Sequence, residues 1–422
     1  MNLFVKTDRV DGSVNIISSK SYLHRVLIVC ALSKDKTPKK IYYFGKLSLD
    51  VLSTVSCLKK IGAKIAVYKK FIRVLPIDKP IDNVEINCGE SGSTLRFILP
   101  VFSSLGISYK VNVKGRLASR PLSPLYELMQ ENGVKFSKMG EYPMSVSGKL
   151  SLPNNKEFVI SGKISSQFIT GLMLSLPLLG GGKVAVSGAF ESKPYCDITS
   201  SVMRLAGVSV IEQDNVYLIE NEYSFPQSVL AEGDWSNSAF FIALGCLKGG
   251  VKVLGLNHAS NQGDKEIVNI LKKLGATIEK VENGVVISKP QNIIGGDIDV
   301  KNVPDLVPIL AVCLAFSKNG GTIYNAGRLR LKESDRITSV VSLINDLGGC
   351  AIDGGDKIIV HGKRLVGGRI NAFNDHRIVM SGAIASAVTE KGVEIIGAEA
   401  VNKSYPQFFE ELQKLGFFVK EI

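Results

Sequence analysis

One motif occurs six times along this chain at nearly equal spacing, and it limits the folds that the chain can adopt. In each copy the end of an amphipathic helix is followed by a glycine and then by a short β-like run. The copies read CLKKIGAKI at 57–65, LMQENGVKF at 128–136, VMRLAGVSV at 202–210, ILKKLGATI at 270–278, LINDLGGCA at 343–351 and ELQKLGFFV at 411–419. Their glycines are Gly62, Gly133, Gly207, Gly275, Gly348 and Gly416, which lie 71, 74, 68, 73 and 68 residues apart.

The repeat predicts six small α/β subdomains. A glycine after a helix supplies a left-handed cap, and the apolar alternation that follows begins a strand. A repeat of about 70 residues is too long for a solenoid unit and suits two helices with several strands. With 422 residues the chain can build two cores, so we expect two domains of three subdomains each. A single array of six subdomains is the alternative.

The charge balance points to anionic partners. Lysine and arginine number 51 against 39 aspartate and glutamate residues, which gives a net charge of +12. Nucleic acid, a membrane surface or small polyanions would all suit this excess. The basic residues are spread along the chain without a polybasic run or an aromatic-basic alternation, which disfavours nucleic acid. We therefore expect small anionic substrates, with no nucleic acid and no membrane as partner.

Cysteine and histidine usage gives no sign of a metal site. The seven cysteines are scattered singly without a CxxC pair, which is typical of reduced thiols in the cytosol, and the four histidines are equally dispersed. Apolar runs such as 306–316 are about half of the roughly 20 residues that span a bilayer. The N-terminus has no apolar signal core and no Arg/Ser-rich transit segment. A cytoplasmic protein without metal is expected.

The segment NAGRLRLKESDR at 325–336 concentrates charge. Its four cations and two carboxylates are Arg328, Arg330, Lys332, Arg336, Glu333 and Asp335. A solvated helix face is one interpretation. The other is an anion site with its own acid or base, because Lys332 and Arg336 lie four apart and would share a helical face, with Glu333 between them.

Short polar loops before predicted helices are further candidates. They read KSYLHR at 20–25, GESGSTLR at 89–96, KISSQF at 163–168, NVPDLVPIL at 302–310, NDHR at 374–377 and NKSYPQF at 402–408. Backbone N–H groups at helix starts attract anions, and small residues allow a close approach. Each loop alone is also typical of an ordinary helix cap, as is Asp305 in the fourth of them.

Taken together and in order, these segments resemble the 5-enolpyruvylshikimate-3-phosphate synthase family, the 3-phosphoshikimate 1-carboxyvinyltransferases of the shikimate pathway. The resemblance covers residues 10–409. Its motifs are DGSVNIISSKSYLHR, GESGSTLR, SRPL, SSQF, SKPYCDIT, EGDWS, QGD, RLRLKESDRI, NDHR and NKSYPQFF. It implies a two-domain inverse α/β barrel with three βαβαββ repeats per domain and substrates bound in a closing cleft. Residues 1–18 with 234–422 would form the C-terminal domain and 19–233 the N-terminal domain, with crossings near 18–20 and 230–235.

The resemblance also implies an activity and a site. The enolpyruvyl group of phosphoenolpyruvate would pass to the 5-hydroxyl of 3-phosphoshikimate through a tetrahedral intermediate, without metal or organic cofactor. The implied catalytic residues are Asp305 as proton acceptor, Glu333 as its partner, and Lys20. The implied 3-phosphoshikimate ligands are Lys20, Ser21, Arg25, Ser165, Ser166, Gln167, Ser192, Tyr195, Asp305 and Lys332. The implied phosphoenolpyruvate ligands are Lys20, Gly92, Arg120, Gln167, Arg336, Arg377 and Lys403.

Three positions depart from the common family pattern. Glu90 stands where many members have Asn, Ser93 where many have Thr, and Arg328 where some have Asn. Glu90 would put a negative charge beside an anionic ligand. The family also implies a glyphosate target, and at Gly92 a methyl group would crowd that inhibitor. We expect a monomer, since the two domains must move.

Two rival functions are compatible with the same repeat. The UDP-N-acetylglucosamine 1-carboxyvinyltransferases share the donor, yet their signature loop cysteine is missing from GRLASRPLSP at 115–124. An RNA-end-processing or nucleic-acid-binding protein would need aromatic stacking platforms, which the sequence does not reveal.

Overall fold

The computed structural model describes residues 1–288 and 290–422, which form two compact units. The C-terminal unit comprises Met1–Ile17 together with Glu232–Ile422, and the N-terminal unit comprises Ser18–Ala231. Each unit has its own hydrophobic core of buried aliphatic and aromatic side chains.

Twelve α-helices and twenty-four strands occur in the described residues. The helices are α1 (Lys20–Ala31), α2 (Leu49–Lys60), α3 (Gly92–Ser104), α4 (Leu125–Glu131), α5 (Ser166–Ser175), α6 (Lys193–Leu205), α7 (Trp235–Lys248), α8 (Ile267–Lys273), α9 (Val307–Phe316), α10 (Arg336–Asp346), α11 (His376–Ala385) and α12 (Phe408–Lys414). The strands are β1 (Asn2–Lys6), β2 (Gly12–Asn15), β3 (Lys39–Tyr42), β4 (Lys64–Val67), β5 (Phe71–Leu75), β6 (Val84–Asn87), β7 (Tyr109–Asn112), β8 (Val134–Phe136), β9 (Met144–Gly148), β10 (Glu157–Ser161), β11 (Gly182–Ser187), β12 (Ser209–Gln213), β13 (Val216–Glu220), β14 (Ser228–Leu230), β15 (Val251–Leu254), β16 (Glu279–Val281), β17 (Gly284–Ile287), β18 (Ile298–Asp299), β19 (Gly321–Tyr324), β20 (Ala351–Asp353), β21 (Ile358–Val360), β22 (Gly368–Asn371), β23 (Val393–Ile396) and β24 (Phe418–Glu421).

Six four-stranded sheets, three in each unit, share one topology. The N-terminal unit has the orders β14-β3-β5-β4, β6-β7-β9-β8 and β10-β11-β13-β12. The C-terminal unit has β16-β17-β15-β2, β18-β19-β21-β20 and β22-β23-β1-β24. Every sheet contains one parallel pair of strands and two antiparallel pairs. The predicted βαβαββ repeat is therefore confirmed.

Three of the repeats borrow a strand from a distant part of the chain. The repeats of β6 to β9, β10 to β13 and β18 to β21 are contiguous in sequence. By contrast, β14 joins β3, β2 joins β15, and β1 joins β23 and β24. Each of these three sheets is completed by a strand from outside the contiguous segment that forms the rest of the repeat.

Within each unit the helices lie inside and the sheets outside, which defines an inverse α/β barrel. Helix α9 is apolar on all sides and is buried from Val307 to Ala315, and α3, α5, α7 and α11 are almost as enclosed. The strands instead alternate buried and accessible residues, as in β3, where Lys39 and Ile41 are buried and Lys40 and Tyr42 are exposed. One face of each sheet therefore packs on the helices.

The six glycines of the motif have the predicted left-handed backbone. Their φ angles range from +74° at Gly207 to +114° at Gly62, and each follows the second helix of its repeat. At Gly133 a side chain would also be excluded by space, because an added Cβ would lie 2.7 Å from the Lys149 carbonyl oxygen. Glycine is required there on both counts.

The cysteines are free thiols, as the sequence predicts. Six of them are buried, and Cys350 is half-buried. In the part of the chain that the structure describes, no helix combines the length and apolarity that crossing a membrane requires.

Candidate active site

Asp305 is the centre of a charged cluster in the C-terminal unit. Its Oδ1 accepts a hydrogen bond from Arg336 Nη1 at 2.9 Å, and its Oδ2 accepts one from Arg377 Nη2 at 3.0 Å. Lys332 Nζ lies 3.5 Å from Oδ1. Three cations from two different helix starts and one loop thus surround one carboxylate and stabilise its negative charge.

The helix-cap interpretation of Asp305 is wrong. Asp305 lies in a short 3-10 helix, Pro304–Leu306, and neither this turn nor α9 after it has a side-chain cap. The carboxylate instead accepts hydrogen bonds from Arg336 and Arg377. The local sequence around Asp305 looks the same for both arrangements.

Arg336 is bonded to three carboxylates at once. Besides Asp305, its Nη2 donates to Glu333 Oε2 at 2.6 Å and its Nε donates to Asp375 Oδ2 at 2.8 Å. Arg336 and Asp375 are both buried. Although burial acts in the opposite sense, Asp375, Glu333 and Asp305 raise the pKa of Arg336. The guanidinium therefore stays positively charged. It is bonded to both implied proton-transfer residues, Asp305 and Glu333.

Lys332 and Arg336 do not share a helical face, contrary to the prediction. Lys332 follows a 3-10 turn, Gly327–Leu331, whereas Arg336 begins α10 after Asp335, whose side chain caps that helix. The cap forces a break between them, and both cations still reach Asp305. Burial lowers the pKa of Lys332 to about 8, against the attraction of Asp305.

The charged segment at 325–336 is not a solvated helix face either. Arg336 is buried and Lys332 is half-buried. Its remaining ion pairs are structural, since Arg330 bonds Asp335 and Asp353. The segment therefore supplies both site residues and the pairs that fix their backbone.

The remaining C-terminal candidates lie close to the same cluster. Arg377 Nη1 also donates to the Asp305 carbonyl at 3.1 Å, and its own backbone N–H donates to Asp375, which caps α11. Lys403 is buried, and its Nζ donates to the Asn374 carbonyl at 2.7 Å. The NDHR and NKSYPQF loops are thereby joined.

In the N-terminal unit, α1 supplies two cations. Lys20 is its first residue and pairs with Asp50 at 2.9 Å. Arg25 is buried, and its donors bond Thr199 Oγ1 at 2.7 Å, the Ser21 carbonyl at 2.6 Å and the Tyr195 carbonyl at 2.9 Å. Burial lowers the pKa of Arg25 to about 10. These hydrogen bonds all go to neutral oxygens, so Arg25 contributes positive potential and holds α1 to α6.

A second cluster of this unit surrounds Gly92, the first residue of α3. A Cβ at Gly92 would lie 2.8 Å from Arg96 Nη1 and 3.0 Å from Arg120 Nη1, so both guanidinium groups approach the bare backbone. Arg96 Nη1 also donates to Gln167 Oε1 at 2.7 Å, and Gln167 Nε2 donates to Ser93 Oγ at 3.0 Å. The loop at 89–96 and the SSQF segment therefore meet.

The other polar candidates also lie at helix starts. Ser165 caps α5 through its hydroxyl, and Ser166 is the first residue of that helix. Ser192 precedes α6 with φ of +54°, and Tyr195 lies in its first turn. Because α5 packs against both α3 and α6, and α6 packs against α1, the positive ends of several helix dipoles collect in this unit.

Some contacts of the candidate residues were not predicted from the sequence. Asp50 pairs with Lys20, and Asp375 binds Arg336. Arg96, a cation of the GESGSTLR loop that sequence reasoning counts toward the site, orients Gln167. Buried Asp264 was missed as well: burial, with Asp305 next, raises its pKa to about 7. Asp264, Asp375 and Arg96 all lie inside motifs that carried the resemblance, so those motifs were the available signal. In the described residues no group of three or more His, Cys, Asp or Glu side chains is arranged to hold a metal ion.

Comparison with known proteins places the chain in a family. The family model for EPSP synthase (3-phosphoshikimate 1-carboxyvinyltransferase) matches residues 5–412. The chain belongs to the EPSP synthase family. A 3-phosphoshikimate 1-carboxyvinyltransferase of Clostridium novyi (strain NT) is 38% identical over 436 residues, which cover 100% of this chain and 98% of the relative. Another from Brachyspira hyodysenteriae is 36% identical over 422 residues, covering 99% of each.

Solved EPSP synthase structures share the fold. The 2.37 Å structure from Acinetobacter baumannii superposes with a TM-score of 0.81 at 21% identity, and the match covers 100% of both chains. A second structure from the same organism gives a TM-score of 0.80. The predicted fold class is therefore confirmed, and so is the predicted EPSP synthase family.

Proposed function

We propose that this chain is a 3-phosphoshikimate 1-carboxyvinyltransferase of the shikimate pathway, which leads to aromatic amino acids. It would transfer the enolpyruvyl group of phosphoenolpyruvate to the 5-hydroxyl of 3-phosphoshikimate and release phosphate. Within a chain of this family, the observation that carries the proposal is Asp305 bonded to Arg336 and Arg377, with Lys332 at 3.5 Å. A carboxylate among cations can accept a proton while the cations bind anionic substrates.

The proposal assigns 3-phosphoshikimate mainly to the N-terminal unit. The assigned ligands are Lys20, Ser21, Arg25, Ser165, Ser166, Gln167, Ser192 and Tyr195, with Asp305 and Lys332 from the C-terminal unit. In support, the N-terminal residues lie at the starts of α1, α5 and α6, where backbone N–H groups and helix dipoles favour a phosphate. Arg25 adds a buried charge whose hydrogen bonds go to uncharged oxygens.

Phosphoenolpyruvate is assigned to guanidinium and ammonium groups of both units. Its proposed ligands are Lys20, Gly92, Arg120, Gln167, Arg336, Arg377 and Lys403. Paired guanidinium groups suit the planar carboxylate and the phosphate, because each can donate two parallel hydrogen bonds. Arg96 and Arg120 beside Gly92, and Arg336 and Arg377 on Asp305, are two such pairs.

Asp305 and Glu333 are proposed to move protons, with Lys20 assisting. In the addition step Glu333 gives a proton to C3 of phosphoenolpyruvate, the 5-hydroxyl oxygen bonds C2, and Asp305 takes the hydroxyl proton. In the elimination step the new methyl group returns a proton to Glu333, the bond from C2 to the phosphate oxygen breaks, and the leaving phosphate takes the proton from Asp305. The double bond and both carboxyl groups are thereby restored. The proposed steps use no metal and no organic cofactor.

Arg336 links binding to this chemistry. Asp305, Glu333 and Asp375 accept hydrogen bonds from Nη1, Nη2 and Nε, which uses four of the five N–H groups of Arg336, so a substrate anion that takes two parallel hydrogen bonds from this guanidinium displaces a carboxylate. Asp375 is buried and also caps α11, which makes it the hardest of the three to move. We infer that substrate displaces Asp305 or Glu333 and so releases a proton acceptor where it is needed.

The test is phosphate release by the purified chain. With 3-phosphoshikimate and phosphoenolpyruvate together we expect phosphate and an enolpyruvyl product detected by mass spectrometry, and none with either substrate alone. UDP-N-acetylglucosamine is the control acceptor. Turnover with that acceptor and not with 3-phosphoshikimate would overturn the proposal in favour of the related transferase.

Three further expectations belong to the same proposal. The two domains are proposed as residues 1–18 with 234–422 and residues 19–233, and their closure would exclude water from the substrates. The monomeric state and the cytoplasmic location stay predictions.

A further inference from the structure

One short part of the chain has a large net positive charge, because acidic residues are almost absent from it. Residues 36–77 contain ten lysine and arginine residues and a single acidic residue, Asp50, a net charge of +9. The whole chain carries +12. Asp50 pairs with Lys20 of the candidate site. This part therefore has a strong positive potential that the transfer reaction does not explain.

The same part builds the sheet β14-β3-β5-β4, whose outer face combines basic and aromatic side chains. In the pairing register Tyr42 lies opposite Phe71, and Lys40 lies opposite Arg73. On β4, Ala66 lies opposite Arg73, and Lys64 is the diagonal neighbour of Arg73 on the same face, opposite Leu75. None of the residues in these four strands is acidic. An aromatic row and a basic row thus run side by side across the outer face.

Three aromatic rings form a cluster in the first of these rows. Tyr68 stacks on Phe71 with ring centroids 4.7 Å apart and an interplanar angle of 21°, and Tyr42 contacts Phe71 at 5.9 Å. Lys40 Nζ lies 5.5 Å from the Phe71 centroid. Tyr42 is 39% exposed and Tyr68 is 46% exposed. The cation–π contact is itself favourable, and a contiguous patch of exposed aromatic rings is typical of a surface that binds a partner.

The charge pattern selects among possible partners. A second copy of this chain would bring like charges together if it used the same face, because a two-fold interface pairs a surface with itself. A lipid surface attracts cations, but it is best bound by apolar side chains that insert between the headgroups. Here Tyr42 and Phe71 lie on a sheet face, and Tyr68, in the turn between β4 and β5, stacks on Phe71. Flat aromatic platforms bordered by basic residues suit unpaired bases joined by phosphates.

We propose that the outer face of the β14-β3-β5-β4 sheet binds single-stranded nucleic acid. Bases stack on Tyr42 and Tyr68, and Lys40, Lys64 and Arg73 contact the phosphates. The sheet joins rings that lie up to 29 residues apart in sequence, from Tyr42 to Phe71, which is why the sequence does not reveal this cluster. The site lies wholly in the N-terminal unit and does not depend on the proposed transferase activity.

Fluorescence anisotropy of the full chain with labelled oligouridylate and oligodeoxythymidylate of about 15 nucleotides tests the proposal. The Tyr42→Ala/Tyr68→Ala variant should bind at least about tenfold more weakly, as expected when bases lose their aromatic partners. Lys40→Gln/Arg73→Gln should lower the slope of log K against log salt by about 0.7 for each phosphate contact removed. Both variants should stay folded at the assay temperature, which thermal unfolding checks, and phosphate release should be unchanged.

The matched control lies on another sheet. Half-buried Phe4 and exposed Phe418 form an aromatic pair on the outer face of the β22-β23-β1-β24 sheet, where Glu394 pairs with Arg369. Phe4→Ala/Phe418→Ala should bind both oligonucleotides as the unaltered chain does. Unchanged affinity in Tyr42→Ala/Tyr68→Ala, or equally tight binding of a duplex of the same length, would overturn the proposal. So would binding of phosphatidylserine vesicles together with no binding of either oligonucleotide.

Discussion

Arg336 Nη1 donates a hydrogen bond to Asp305 Oδ1 at 2.9 Å, so a proposed ligand of phosphoenolpyruvate is bonded to the proposed proton acceptor. A substrate anion and Asp305 therefore compete for one guanidinium group. The competition predicts that removing the carboxylate helps binding while it harms chemistry.

Asp305→Asn should lower kcat by on the order of 10²-fold or more, because the amide keeps the size of the side chain and cannot accept the hydroxyl proton. The KM values for both substrates should stay the same or fall slightly, since a negative charge leaves a cationic site. Steady-state kinetics with each substrate varied in turn measures both effects.

Asp11→Asn is the matched control for Asp305→Asn. Asp11 also pairs with an arginine, Arg9, in the same unit, yet both side chains are exposed and lie outside the proposed site. We expect normal kcat and KM in this variant. If Asp305→Asn kept a normal kcat and only lowered the melting temperature, Asp305 would be structural and the proton acceptor would have to be Glu333.

Gly92→Ala should raise the KM for phosphoenolpyruvate about tenfold with a smaller change in kcat. The new methyl would lie 2.8 Å from Arg96 Nη1, which Gln167 holds, and 3.0 Å from Arg120 Nη1. One charge-assisted contact, worth about 1.5–3 kcal/mol, would be weakened or lost. Gly327→Ala is the control, because its Cβ would meet nothing nearer than Asp356 at 3.5 Å.

Glyphosate inhibition follows the same geometry. We expect the unaltered chain to be sensitive and Gly92→Ala to require a higher inhibitor concentration relative to the KM for phosphoenolpyruvate. The ratio of the inhibition constant to that KM is the quantity to measure. Tight inhibition that is equal in both proteins would contradict the proposed position of Gly92.

The repeat could be predicted from the sequence, and the borrowed strands could not. Gly62 and its five counterparts mark the end of a helix locally, because a left-handed φ after a helix needs glycine. The pairing of β1 with β23 and β24 depends on contacts between chain ends that lie hundreds of residues apart. No local pattern encodes such a pairing.

The site residues could be named only through family resemblance. Asp305 alone fits a helix cap, and its true contacts with Arg336 and Arg377 join segments 31 and 72 residues away. Helical spacing misplaced Lys332, because Asp335 caps α10 and breaks the helix before Arg336. The density of charged residues in the sequence indicated that segment 325–336 is important. The role of each charged side chain depends on tertiary contacts that the sequence does not show.

Lys332 should impose an alkaline limit on activity. Burial lowers its pKa to about 8, so the ammonium charge that attracts 3-phosphoshikimate is lost as the pH rises through that value. The kcat/KM profile reports the free enzyme and should fall above about pH 8. Lys332→Arg should move this limb to higher pH, because a guanidinium stays charged. Exposed Lys363→Arg should leave the profile unchanged, and an identical limb in Lys332→Arg would exclude Lys332 as its source.

His24 should make the fold sensitive to mild acid. Its ring is fully buried on α1, with Nδ1 2.7 Å from Thr54 Oγ1 and an edge contact to Phe97. Burial, then Lys20 and Arg25, lower its pKa well below 6.5. Below about pH 6.5 the unfolded chain binds a proton at His24 that the native chain does not, so stability falls as the pH falls, by up to about 1.4 kcal/mol per pH unit.

His24→Gln should therefore be less stable than the unaltered chain near pH 7, since it loses a fitted buried ring, and yet lose less stability on acidification. The measurement is the melting temperature between about pH 7 and pH 5, compared as a difference within each protein. His361→Gln replaces an exposed histidine and should keep the full acid-induced decrease. An acid-induced decrease of the same size in His24→Gln would mean that carboxylates, not this buried imidazole, set the acid limit of the fold.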